Sequence, residues 1–146
     1  MMMNAAELQT FLHHNIPASA ALSLGVSESS PQRVVLSAPI SINRNHHHTV
    51  FGGSISMLAT LCGWSLVHLN YPEYHGKIVI QESTIRYTKP ATGDLSAVCE
   101  KTDPEAWALC SRMLSERGKG KISVTCVLFS EGIEVARFEG KYVVLA

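Results

Sequence analysis

SISMLATLCGWSLVHL, residues 54–69, is apolar around nearly its whole circumference. Ile55, Met57, Leu58, Ala59, Leu61, Cys62, Trp64, Leu66, Val67 and Leu69 leave almost no polar face at helical pitch. A surface helix keeps such a face, so this one must be enclosed by other structure. Its sixteen residues make a rod of about 24 Å, long enough to cross a small domain. As a membrane span it is slightly short and is interrupted by Ser, Thr, Gly, Trp and His, so it reads as a core helix.

The flanking sequence supplies the enclosure. Lys77–Lys89 reads as a long strand ended by Pro90, with turn residues through Gly93-Asp94 and a second strand over Leu95–Lys101. Asp103-Pro104-Glu105 starts a helix, with Asp as N-cap and Pro in the first turn, and Trp107, Cys110 and Leu114 recur at helical spacing up to Gly118. Lys121–Ser130 and Ile133–Leu145 are two strands joined at Glu131-Gly132, with Ile122, Val124, Cys126 and Leu128 alternating along one and Ala136, Phe138, Tyr142 and Val144 along the other. Toward the N-terminus, strands are predicted over Ala21–Val26 and Arg33–Ile40. A short helix over about residues 4–14 opens with a capping box from Asn4 to Glu7 and is closed by Pro17. The order predicts a single α+β domain over residues 1–146, a curved and mostly antiparallel sheet around the long helix.

Composition narrows the function. Lys plus Arg and Asp plus Glu are twelve each, without the excess of positive charge expected of a nucleic-acid-binding domain. Zero net charge leaves copies of the chain free to associate. Cys62, Cys99, Cys110 and Cys126 form no C-x-x-C pair and fall within predicted helices and strands, which suits buried free thiols in a reducing compartment. Residues 1–14 lack the basic start and apolar run of a secretory signal, so a cytoplasmic location is expected.

The stretch Asn45-His46-His47-His48-Thr49-Val50-Phe51-Gly52-Gly53 leads directly into the buried helix. Two glycines there allow a ligand or another chain to approach the backbone closely. The first N–H groups of the helix lack intrahelical partners and lie at the positive end of its dipole, where a carbonyl oxygen would be polarised. Asn45, Thr49, Val50 and Gly52-Gly53 resemble the Asn-x-x-Gly-Thr-Val-His-Gly-Gly signature of hotdog-fold acyl thioesterases. Residues 84–95, 118–121 and 135–142 resemble later strands and turns of that family in the same order. The Phe51-Gly52-Gly53-Ser54 start, the Gly63-Trp64 pair and the helix after Asp103 resemble the subgroup that elsewhere follows an acetyltransferase domain, a second domain for which 146 residues leave no room.

The resemblance implies a hotdog fold, a homodimer or a tetramer with acyl sites between subunits, and a substrate from fatty acid metabolism. That substrate would be a thioester of coenzyme A or of an acyl carrier protein. Coenzyme A or phosphopantetheine would enter only as part of it, with no separate cofactor. Many relatives carry an Asp or Glu nine residues after the His of His-Gly-Gly; here Thr60 stands at that position and Phe51 replaces the His. A threonine cannot act as a carboxylate base. His47 and His48 are therefore the candidate proton relays, since imidazole titrates near neutrality. His48 stands where the family often has glycine, and side chains of the neighbouring His46 and His47 are expected to diverge.

Gly53 and Thr60 complete the catalytic set. Asn45, Phe51, Gly52, Ser54, Gln81, Ser83 and Arg86 are the candidate substrate contacts, with Gln81 and Ser83 on the strand face that meets the helix. Loop histidines bonded to solvent remain an open alternative, and a metal site is disfavoured because three consecutive histidines do not easily converge on one ion. Two other functions stay open: an acyl-thioester-binding module without hydrolysis, and an enoyl-thioester hydratase, which would want an acid on the helix.

Overall fold

The computed structural model describes residues 2–146. Helix α1 (Ala5–Asn15) starts on the expected capping box: Glu7 N–H donates to Asn4 Oδ1 at 2.8 Å, and Asn4 N–H donates to Glu7 Oε1 at 3.0 Å. Pro17 does not end the helical region. It opens a second short helix, α2 (Pro17–Ala21), where a missing N–H costs nothing because first-turn N–H groups have no partner. Residues 21–24 therefore leave the predicted strand, and β1 runs over Gly25–Ser29, paired with β2 (Arg33–Ala38).

The remaining strands are β3 (Ile78–Tyr87), β4 (Leu95–Glu100), β5 (Lys119–Ser130) and β6 (Ile133–Leu145). They form one six-stranded sheet in the order β1-β2-β4-β5-β6-β3, with every neighbouring pair antiparallel. The β5–β6 turn has φ of 52° at Glu131 and 75° at Gly132, the positive pair of a tight hairpin turn. After a single helical turn, α3 (Ile40–Asn43), the long helix α4 covers Gly52–Asn70. It begins two residues earlier than the apolar pattern does, because both glycines adopt helical geometry.

Helix α4 packs against β2, β3, β4, β5 and β6. Leu58, Ala59, Cys62, Leu66 and Val67 are fully enclosed, at about 1.5–3 kcal/mol for each large aliphatic side chain. Its length and hydropathy would suit a membrane span, but the strands supply the apolar surroundings instead. Among the described residues the four cysteines are buried and unbridged. Burial, with Cys126 and Cys99 beside it, pushes the Cys62 thiol well above its usual pKa, so it stays protonated and unreactive. Helix α5 (Pro104–Arg117), capped by Asp103 and ended by Gly118 at φ 70°, lies over β5.

Tyr142 crosses from β6 to α4 and donates to the carbonyl of Thr60 at 2.7 Å. It fits because Gly63 has no side chain: a Cβ there would stand 2.5 Å from the Tyr142 hydroxyl. Both elements are rigid, so Gly63→Ala should destabilise the protein by about 2–3 kcal/mol. Urea denaturation would show this as a lower midpoint with an unchanged slope.

The N-terminal helix is held to α4 by a ring stack. His68, 4% exposed, lies with its ring centroid 4.7 Å from Phe11 of α1 and 5.2 Å from Trp64, and its Nδ1 has no hydrogen-bond partner. Burial, and secondarily the nearby His75, lower the pKa of His68 below the ordinary imidazole value. The unfolded chain takes up this proton near pH 6.5 while the folded one resists it to lower pH. Below about pH 6.5 the unfolded state therefore binds more protons, and stability falls as the pH drops. The thermal midpoint should decline between about pH 7.5 and 5.5 and decline less steeply in His68→Gln; equal slopes would assign the effect to other groups.

Candidate active site at the start of the central helix

The loop before α4 is organised by Asn45. Its Oδ1 accepts the N–H groups of His47 at 2.8 Å and Thr49 at 3.2 Å, and its Nδ2 donates to Thr49 Oγ1 at 2.8 Å. The main chain closes the same turn, with Asn45 N–H donating to Thr49 O and His48 N–H to Asn45 O. Asn45 therefore shapes the loop, and its amide is taken up there. His48 has φ 62°, a left-handed backbone that favours glycine, which accounts for the glycine often found there in the family it resembles.

Two bonds then aim the chain into the helix: Val50 N–H donates to Ala91 O at 2.9 Å and Phe51 N–H to Asn43 O at 2.8 Å. The Phe51 carbonyl accepts from both Ser54 and Ile55. Among the described residues the N–H groups of Gly52 and Gly53 are left with no acceptor, and no side chain caps the helix. Neither glycine is demanded by a positive φ. A Cβ on Gly52 would meet the Tyr87 ring at an ordinary 3.6 Å, and one on Gly53 would meet only the half-exposed Phe51 ring. Each glycine costs the helix up to about 1 kcal/mol relative to alanine. Backbone geometry therefore does not require either glycine, and the Phe51 ring takes the space a Gly53 side chain would need.

A cleft of about 350 Å³ opens beside Gly52, lined also by Val50, Ile55, Tyr87, Lys89 and Ala91. A larger cavity of about 460 Å³ lies at the opposite end of α4, next to Asn70, Tyr71, Lys101 and Trp107. There the Tyr71 and Ser111 hydroxyls bond each other at 2.9 Å. Chemistry therefore favours the smaller cleft.

The proposed site residues divide into two groups. Phe51, Gly52, Gly53 and Ser54 stand together at the helix start, and Thr60 lies two turns along the same incompletely covered stripe as Gly53, Ser56 and Met57. The Thr60 hydroxyl donates to Ser56 O at 2.8 Å, which leaves it turned back into the helix. His46, His47 and His48 are exposed, and none makes a side-chain hydrogen bond among the described residues. The His46 and His47 rings do not diverge; their centroids are 3.9 Å apart, because the tight turn folds the two side chains together.

Strand β3 shows a larger difference. A bulge between Ile80 and Glu82 leaves Gln81 without a cross-strand partner. Ser83, Ile85 and Tyr87 do face the helix, opposite Gly140, Phe138 and Ala136, but Gln81 drops out of that set. Glu82 is solvated as expected, near Lys141 at 3.8 Å. Arg86 sits opposite Arg137 on the outer face of the sheet and is not gathered with the glycines. Sequence reasoning passed over Tyr87, whose hydroxyl donates to Gly52 O at 3.2 Å. Its signal was an aromatic residue at the strand's end, on the helix-facing alternation.

A sheet curved around a long helix with a bare-glycine start is the hotdog fold of thioesterases. The same architecture recurs in solved structures. A putative thioesterase from Shewanella oneidensis is 30% identical with TM-score 0.84, covering 97% of each chain. A protein of unknown function from Pseudomonas aeruginosa, described as a probable thioesterase, is 27% identical with TM-score 0.78, covering 96% of this chain and 95% of that one. A thioesterase from Haemophilus influenzae shares the fold at 12% identity and TM-score 0.77, over 99% of this chain and 93% of the other. Residues 5–146 match the model of the family described as "Putative thioesterase (yiiD_Cterm)", and the chain belongs to that family.

Asn45→Ala removes three side-chain bonds that hold the turn. It should speed amide hydrogen exchange at residues 47–50 while costing global stability about 1–2 kcal/mol. Unchanged exchange there would mean that the main-chain bonds alone suffice.

Proposed function

We propose that this protein hydrolyses acyl-CoA or acyl-carrier-protein thioesters at the start of α4. The observation that carries the proposal is the pair of unbonded amides at Gly52-Gly53, of which Gly52 lines an open cleft, in a member of a thioesterase family. The thioester carbonyl oxygen would accept from Gly53 N–H. Water would attack the carbonyl carbon, and the negative charge formed on oxygen would meet the amide and the positive end of the helix dipole. Collapse expels the thiolate, a better leaving group than an alkoxide because thiols ionise near pH 8.5. With Thr60 in place of a carboxylate, His48 or His47 is the group left to take the proton from water. Ser54, Ser83 and Phe51 would border the bound thioester, and Arg86 would meet coenzyme A phosphates only across the edge of the sheet.

The acyl chain would follow the incompletely covered stripe of α4 past Met57, facing Ile80 and Ile85 of β3. That strand is at the sheet's edge, with one side unpaired and with Val79 and Ile80 exposed. A second copy pairing along this edge would bury both and complete the groove, giving a homodimer, with tetramers by further stacking. The free buried thiols suit a cytoplasmic setting. The inward-bonded Thr60 hydroxyl supports one second reading, a thioester-binding module without turnover.

The test is a hydrolysis assay over short to long acyl-CoA and acyl-carrier-protein substrates, alongside sedimentation of the purified protein. Turnover by a dimer is expected. His48→Gly should lower kcat about 10- to 100-fold yet hold or raise stability by about 0.5–1 kcal/mol, since glycine accepts the positive φ. Saturable binding without turnover across the whole series would favour the binding module.

A further inference from the structure

Tyr87 ends β3, thirty-five residues from Gly52 along the chain, yet its hydroxyl donates to Gly52 O at 3.2 Å. Its ring lies over the same residue, 3.6–3.7 Å from where a Gly52 Cβ would be. The carbonyl of Gly52 and the N–H of Gly53 belong to one planar peptide group. That N–H is one of the two unbonded amides at the helix start. A hydrogen bond donated to the carbonyl draws electron density toward oxygen and raises the C–N double-bond character. The N–H of the same unit then becomes a stronger donor, and the plane can no longer tilt freely.

We infer that Tyr87 is a positioning residue that sharpens the Gly53 amide by hydrogen-bonding the other end of its peptide. The inference rests on the assignment of Gly53 N–H to the thioester carbonyl. It adds a side chain that touches no reacting atom. Atoms and charges balance without a covalent step: the tyrosine proton stays on its oxygen throughout, and the group exerts its effect as a dipole. The contact also links the helix start to the edge strand, so any displacement of β3 at its end would be felt at the amide.

The closing experiment uses Tyr87→Phe and Tyr87→Leu in the full chain, read in two ways. In 1H–15N spectra, Tyr87→Phe should move the Gly53 amide upfield in both dimensions and leave the amides of residues 58–70 in place. In the hydrolysis assay with the best-turned-over thioester it should lower kcat about 3- to 10-fold with KM within about twofold. This is a fraction of the 10²- to 10³-fold lost when an oxyanion donor is removed outright. Tyr87→Leu should lose at least as much. A Gly53 amide unmoved by Tyr87→Phe overturns the inference, as does full kcat in Phe with loss only in Leu, which would make the ring a packing group. If the wild-type protein turns over no thioester, hydrolysis itself is refuted, while the Gly53 resonance still decides whether Tyr87 holds the peptide.

Discussion

Helix α4 can exist only where its apolar circumference is taken out of water, and one strand layer cannot cover a helix unless it bends around it. Five of the six strands touch α4, and Tyr142, Phe138, Leu36 and Leu128 reach inward from them, buried. Packing this close sets local residue choices. Gly63 is bare because the Tyr142 side chain occupies its side-chain space, and Gly140 because the Phe138 ring, with Tyr142 beside it, occupies its own. The remaining helices close the ends: α1 stacks Phe11 on His68, and α5 presses Cys110 and Leu114 onto Gly120.

A helix held this firmly has a start that cannot drift, and the site follows from that. The loop through Asn45 brings Phe51 against Asn43, the Phe51 carbonyl takes the amides of Ser54 and Ile55, and those of Gly52 and Gly53 are left without an acceptor among the described residues. Free amides on a rigid element are the arrangement that stabilises developing charge with least reorganisation. The same rigidity leaves a narrow stripe of α4 uncovered, from Gly53 through Met57 to Thr60, alongside an unpaired strand edge.

Much of this was legible in the residues because it depends on local periodicity. The all-round apolar helix announced its own enclosure, the alternation along β5 and much of β6 gave their inward faces, and the capping residues at Asn4 and Asp103 marked two helix starts. The misreadings share one cause. Pro17 is a breaker inside a helix and an opener at its first position, and the chain here places it at the first position of α2. The alternation of β3 places Gln81 on the helix face until the bulge shifts the phase, and a bulge answers to the partner strand rather than to its own residues.

By itself, then, the sequence determined that a buried helix with a doubled-glycine start lies inside a curved antiparallel sheet, because burial and backbone freedom are properties of neighbouring residues. Tertiary structure alone decided which groups surround that start. It turned the Thr60 hydroxyl inward, put Arg86 on the far face, folded Phe51 over Gly53 and brought Tyr87 onto Gly52. Those outcomes join residues far apart along the chain, through strand register and helix placement, and no periodicity within a single segment encodes them.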